Sequence, residues 1–350
     1  MKRVLVTGAG GPAGVNFVRS LRAAPEPMHI VGTDIDRFHL EWPDLDVAYE
    51  APRGDDPGYL GFLNDVIARE GITLVHPQPD PEVDVISRLR DRLDAPTYLP
   101  DPATVATCQD KLASARAWEA AGIRTLPALP VETRADLEHA AAELGLPMWV
   151  RATSGAGGRG STPVESVEVA EHWIAYWRLR GRDWAFVAER MLPGANLAFT
   201  SLWHDGEPVV WHLRERLEYI YPYLAPSGVT GTPVVAVSRE MPDAEAIALR
   251  AVRAVDERAT GVFCVDLKAD ADGRPWPTEI NCGRFFTTSY FFTAAGVNIP
   301  YAYVRLAHGE PAFDAPPPAI PAGLHWVRHI DCPAALVRED DLRAVPLVRG

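Results

Sequence analysis

The sequence predicts a mixed α/β protein, with a parallel, doubly wound unit followed by an α+β region rich in hairpins. Three observations carry that expectation. Strand-like and helix-like stretches alternate over the first hundred residues. The pattern changes at Asp101, where a helix-initiating Asp-Pro pair opens a longer helical stretch. Two hairpins, centred on Asp205-Gly206 and Asp272-Gly273, follow later in the chain.

The elements follow in order. Residues 3–7 are an apolar strand that runs into the glycine-rich turn of VLVTGAGGPAG, and 13–22 are helical. HIVGTDID (29–36) is a second strand, 62–70 a helix, 73–76 a third strand and 83–93 another helix. In DPATVATCQDKLASARAWEAAG, Asp101 is the N-cap, Pro102 the first helical residue and Gly122 the stop, which predicts one helix. A helix over 133–145 precedes the strand PMWVRAT and the loop SGAGGRGS. The helix over 166–180 has Val169, Trp173, Ile174 and Trp177 on one face. AFVAERM is a strand. LAFTSLW and PVVWHLR form the first late hairpin, 243–260 a helix, and VFCVDLKADADGRPWPTEI the second hairpin. Residues 311–322 form an extended crossing segment, and WVRHID is a short final strand. No internal repeat or low-complexity tail stands out.

Composition excludes several classes. With 350 residues and 47% hydrophobic side chains, two or three units with a real core are expected. A net charge of −13 argues against a nucleic-acid surface. No stretch approaches a membrane span, and MKRVLVTGAG is too short and glycine-rich for a signal peptide. Cys108, Cys264, Cys282 and Cys332 are scattered without a CxxC pair, which fits reduced thiols in a cytoplasm.

The stretch VDLKADADGRPWPTEIN carries the most chemistry. If Asp272-Gly273 is a two-residue turn, opposed residues have numbers summing to 545, and Asp266 faces Glu279. Opposed side chains share a face about 5 Å apart. Asn281, two residues on, joins that face. Two acids and an amide suit magnesium, as one ion or two sharing a carboxylate. The alternative is a polar, solvent-facing side of a hairpin, where facing acids would repel. Upstream lie the basic residues Lys111 and Arg151 and the glycine loop. Such a loop suits phosphate oxygens, since its backbone N–H groups can approach closely. Alone, it is equally a flexible connector, and Lys111 an exposed helix lysine.

Taken in order, DKLASARAWEAAGIRTLP, PMWVRATSGAGGRGS, FVAERMLPG and VDLKADADGRPWPTEINCGRF resemble the ATP-grasp superfamily. The motif order is most similar to one ATP-grasp half of carbamoyl-phosphate synthetase large subunits and to the D-alanine–D-alanine ligase group. The resemblance implies a Rossmann-like pre-ATP-grasp domain over 1–105, a small lobe over 106–187, a large lobe over 188–315 and a C-terminal extension over 316–350. It implies that Lys111 and Arg151 contact ATP phosphates, and that Gly157 and Gly158 close over them. Glu189, with backbone groups of Arg190 and Leu192, would line the adenine slot. Asn196 stands where many relatives carry a ribose-binding acid. Asp266, Glu279 and Asn281 would bind Mg2+, two ions or Mn2+ included. Arg284 resembles the arginine that stabilises an acyl phosphate, although Cys282-Gly283 precedes it where a single proline is common.

The implied activity is ATP-dependent ligation of a carboxylate to an amine, with small-molecule substrates, amino acids among them, and a homodimer as the candidate assembly. Arg214 and Arg284 are the candidate catalytic side chains. RERLEYIYPYLAPSGVTGTP either shapes an acceptor pocket, where Arg214 and Arg216 could hold a second carboxylate and its three tyrosines an apolar or aromatic group, or is an ordinary strand and loop whose aromatics pack internally. HPQPDPEVD either borders that pocket or is a surface loop. FFTTSYFF and the scattered histidines read as core. Two other functions stay open. Gly8, Gly10 and either Ala13 or Gly14, with Asp34, match a dinucleotide fingerprint, which would suit an NAD(P)-dependent oxidoreductase; the resemblance favours instead a tight strand-to-helix turn that binds no dinucleotide. The chain could also be a non-catalytic ATP-binding module.

Overall fold

A computed structural model describes residues 1–153, 160–224, 228–329 and 344–345, the last pair by backbone alone. Three sheets organise it. The first is parallel, in the order β15-β3-β2-β1-β4. Its strands are β1 (Arg3–Thr7), β2 (His29–Asp34), β3 (Val47–Glu50), β4 (Leu74–Pro77) and β15 (Ala344–Val345). Helices α1 (Pro12–Arg22), α2 (Tyr59–Glu70) and α3 (Asp80–Leu89) connect it. Strands buried on both faces read as continuous apolar runs, which is why β1 and β2 are legible. The short β3 and β15 have no such run and were not expected.

The glycine turn is covered by its own chain. A Cβ on Gly8 would lie 2.4 Å from the Pro79 ring, and one on Gly10 2.4 Å from the His39 Cβ. The Gly10 N–H donates to Asp34 Oδ2 at 3.1 Å. The acid spaced for a ribose therefore braces the turn itself, and the glycines are explained by close packing.

The stretch 101–122 forms two helices, α4 (Pro102–Gln109) and α5 (Lys111–Ala120), where one was expected. Asp110 breaks them apart with an extended backbone, and its carboxylate accepts from the Leu112 and Ala113 N–H groups at 2.8 and 3.1 Å. An aspartate that caps competes well with a helix interior. The next sheet is antiparallel, β5-β8-β6-β7. It contains β5 (Ala128–Pro130), β6 (Met148–Ala152), β7 (Thr162–Val164) and β8 (Phe186–Arg190), packed against α6 (Arg134–Leu144) and α7 (Val167–Leu179). On α7 it is Ala170 and Ile174 that are buried; Val169, expected on the inner face, is 49% exposed.

The third sheet is antiparallel, β13-β12-β9-β10-β11-β14. Its strands are β9 (Asn196–His204), β10 (Glu207–Tyr219), β11 (Pro233–Arg239), β12 (Gly261–Ala269), β13 (Pro275–Cys282) and β14 (His325–Val327). Phe199, Phe263, Val265 and Leu267 alternate onto one face, where α5 and α8 (Pro242–Val255) cover them. The opposite face is apolar at Leu202 and Val262. There it packs on the N-terminal core with Phe285, Phe291 and Phe292, α9 (Tyr290–Ala294) and α10 (Ile299–Ala307). Farther along the same strands it turns polar. No helix among the described residues is long and apolar enough to cross a membrane.

Glu82 of α3 sits inside this fold, 6% exposed. Burial raises its carboxyl from 4.5 to about 7, with Thr7 and Tyr59 pulling it partly back. Its folded pKa exceeds the unfolded one, so stability is greatest at acid pH and falls as pH rises from about 4.5 to about 7. Glu82→Gln should therefore gain on the order of 2–3 kcal/mol over the parent at pH 8 and nothing at pH 4.5. Urea unfolding at the two pH values measures this, and an identical difference at both would contradict it.

Candidate active site

The polar end of the third sheet is built by strand register. Cys264 faces Asn281 and Asp266 faces Glu279, so the two acids and the amide share one face. The turn is not the two-residue one expected. Ala269 pairs with Pro275, which leaves residues 270–274 to reverse the chain, and a bulge follows between Asp266 and Leu267. The longer turn shifts the pairing by one residue and the bulge, at Thr278, shifts it back. The Thr278 hydroxyl donates to the Asp266 carbonyl at 3.1 Å across the bulge.

Each donor is held by a cation from another element. Lys111 is the first residue of α5, placed by the Asp110 cap, and its Nζ lies 3.6 Å from Glu279 Oε1. Arg216 of β10 grips Asp266 with both nitrogens, at 2.6 and 3.1 Å. Arg284 donates to Asn281 Oδ1 at 2.9 Å and forms a two-pronged pair with Asp80, the first residue of α3. Burial alone would lower the Arg216 and Arg284 guanidinium pKa values. The facing aspartates outweigh it, and both values rise.

The four-stranded sheet supplies the opposite wall. Arg151 on β6 pairs with Glu189 on β8 at 2.6 Å, and its Nη1 donates to the Thr278 carbonyl at 3.1 Å. Arg190, Met191 and Leu192 follow at the end of β8. Asn196 opens β9; its amide donates to the Tyr219 hydroxyl at 2.7 Å, and its oxygen accepts from Arg216 at 3.4 Å. Arg214 is 1% exposed, and burial lowers it to about 10.

One cleft of about 510 Å³ is lined by Lys111, Arg151, Glu189, Arg190, Leu192, Asn196, Arg214, Asp266, Glu279, Asn281 and Arg284. Gly157 and Gly158 lie outside the described residues. Arg216 and Tyr219, from the stretch expected to shape an acceptor pocket, also line the cleft, as does Lys268, which no motif singled out. Arg216 is two residues from Arg214 on β10 and so shares its face. Nothing local marks Asp80, which meets a residue 204 positions away. HPQPDPEVD is mostly the first turn of α3 rather than a loop, and it reaches the site through Asp80. Of the tyrosine-rich segment after β10, Tyr219 faces the cleft, while Tyr221 and Tyr223 are exposed. Residues 225–227 of that segment lie outside the described residues.

Among the described residues no three His, Cys, Asp or Glu side chains cluster as a metal site. The oxygen set here is two carboxylates and an amide, hard donors of the kind magnesium takes together with water and phosphate.

Residues 110–180 match the family model of the carbamoyl-phosphate synthase L chain, ATP binding domain. Over 185 residues the chain is 29% identical to a D-alanine–D-alanine ligase of Nitrosococcus oceani, a match covering 50% of this chain and 55% of that enzyme. It thus spans little more than half the length of such curated relatives. The biotin carboxylase domain of the 2-oxoglutarate carboxylase from Hydrogenobacter thermophilus is similar with a TM-score of 0.68 and 18% identity, covering 89% of this chain and 70% of that one. An L-amino acid ligase from Bacillus licheniformis is similar with a TM-score of 0.64 and 16% identity, covering 88% and 74%. At these identities the likeness is one of fold: the chain has the ATP-grasp fold behind a Rossmann-like sheet.

The Arg216–Asp266 pair is largely buried, so removing one partner strands the other. In EDTA, Asp266→Ala should lower the unfolding free energy by about 3 kcal/mol, and adding Arg216→Met should recover most of it. Urea titration measures both. An unchanged midpoint for Asp266→Ala would contradict the pairing.

Proposed function

We propose that this protein is an ATP-dependent carboxylate–amine ligase that works through an acyl phosphate. One observation carries the reading. Lys111, Arg151, Arg216 and Arg284, each beside an acid, converge on the bulged hairpin that presents Asp266, Glu279 and Asn281. Ion pairs of this kind can exchange their internal partners for a bound metal and triphosphate.

Lys111 and Arg151 hold the phosphates from above, assisted by the loop containing Gly157 and Gly158. Glu189, Arg190 and Leu192 border the base, and Asn196 the ribose end. Asp266, Glu279 and Asn281 would hold magnesium, with two ions accommodated by a shared carboxylate; when bound it neutralises phosphate charge. An oxygen of the substrate carboxylate attacks the γ-phosphorus, the bridging P–O bond breaks, and ADP departs. The amine then attacks the acyl carbon, its C–O bond to phosphate breaks, and the amine proton passes to solvent. Arg284, shared between Asn281 and Asp80, stabilises charge on the acyl oxygens.

The oxidoreductase reading finds no support, since the glycine turn is packed under His39 and Pro79. The D-alanine–D-alanine ligases and the L-amino acid ligase among the similar proteins support amino acids as substrates.

ADP release screened over amino-acid pairs with Mg2+ tests the proposal. At least one pair should stimulate release, and Glu279→Gln should reduce it by about 10²-fold or more without lowering the melting temperature. Release that survives Glu279→Gln unchanged would overturn the assignment.

A further inference from the structure

Among the described residues, the most deeply buried cation of the cleft, Arg214, is in no ion pair. Lys111 has Glu279, Arg151 has Glu189, Arg216 has Asp266 and Arg284 has Asp80. Arg214 has no carboxylate among the described residues. Its Nη1 donates to the Thr200 hydroxyl at 3.0 Å, its Nε has no partner, and its guanidinium carbon lies 3.8 Å above the Phe286 ring. A neighbouring like charge, Arg216, adds to the penalty.

A second ring, Phe292, lies 5.7 Å away, and a buried guanidinium held by one hydroxyl and two aromatic faces is still poorly compensated. Its planar fork suits a carboxylate or a phosphate, and in a carboxylate–amine ligase the phosphates belong beside the acids that would hold the metal. Its place in the sheet says which carboxylate. Glu279, Asp266, Ala198 and Arg214 stand in one row across β13, β12, β9 and β10. Strands are about 4.8 Å apart, so the Arg214 backbone lies about 10 Å from that of Asp266 and about 14 Å from that of Glu279. The reacting carboxylate belongs beside the acids, where Arg284 and the phosphates meet.

We propose that Arg214 receives a second, non-reacting carboxylate, so that one of the two substrates is an amino acid serving as the amine or a dicarboxylic acid serving as the acyl donor. Arg214 is then a binding group and not the catalytic one. This rests on the ligase reading, but its first test needs no turnover.

Protein saturated with Mg2+ and a non-hydrolysable ATP analogue is titrated calorimetrically with the twenty L-amino acids, with C3–C6 dicarboxylates, and with the mono-amide of each. At least one carboxylate probe should bind, amidation should weaken it by 30-fold or more, and Arg214→Met should reduce that discrimination to less than 3-fold. Arg214→Lys keeps the charge without the fork and should fall between them. Unfolding curves check that both variants fold, and added guanidinium ion should partly restore binding to Arg214→Met. Equal discrimination in the parent and Arg214→Met, or no binding of any probe to the parent, overturns the proposal. With a substrate pair in hand, Arg214→Met should raise one KM by 30-fold or more and leave kcat within about 5-fold. A rise for the amine identifies an amino acid, and a rise for the acid a dicarboxylate; a rise in neither overturns the proposal. Failure to find any ADP-releasing pair would count against ligation, and the binding arms would still decide the role of Arg214.

Discussion

Everything in the cleft depends on the facing of Asp266 and Glu279 across the β12–β13 hairpin. Two carboxylates on adjacent strands repel, so this register is tolerable only where cations surround it. The chain supplies them from separate places: Lys111 from the start of α5, Arg216 from β10, and Arg284 just beyond β13. In the free protein these cations occupy the acids and the amide. On the proposed reading, a bound metal takes the acids and the cations turn to phosphate and substrate oxygens. The charges then exchange partners, and the incoming charges of metal and triphosphate meet opposite charges already in place.

The same constraint ties the three sheets together. The bulge that keeps Asp266 opposite Glu279 also presents the Thr278 carbonyl to Arg151 of the four-stranded sheet. The parallel sheet contributes Asp80, which holds Arg284 beside Asn281. Each wall is thus linked to the hairpin by a hydrogen bond or an ion pair. Only a polar face contiguous with an apolar one could be built this way. Leu202 and Val262 anchor β9 and β12 in the core, while Asp266 and Asn196, on the same face, open to the cleft.

Much of this was legible in the sequence, because strand alternation and capping chemistry are local. The acids and the amide fell on one face, as did the long apolar strands, and Gly122 ends α5 in a left-handed turn. The agreement on register was partly fortuitous, since a turn longer than two residues and an unforeseen bulge cancel. What stayed hidden was set by distant contacts. Asp110 splits a helix that propensity alone would continue, and Asp80 is recruited by an arginine far along the chain. The glycine fingerprint was ambiguous by itself for a related reason. A tight turn needs glycine whether a nucleotide or His39 lies against it, and only the folded chain shows which.

The central claim is that Asp266, Glu279 and Asn281 gather a divalent cation beneath a triphosphate. Electron paramagnetic resonance of Mn2+ titrated into the protein with a non-hydrolysable ATP analogue tests it most directly. The account predicts a bound Mn2+ signal coupled to phosphorus that the Asp266→Asn/Glu279→Gln double variant loses. The same bound signal and the same coupling in the double variant would contradict it.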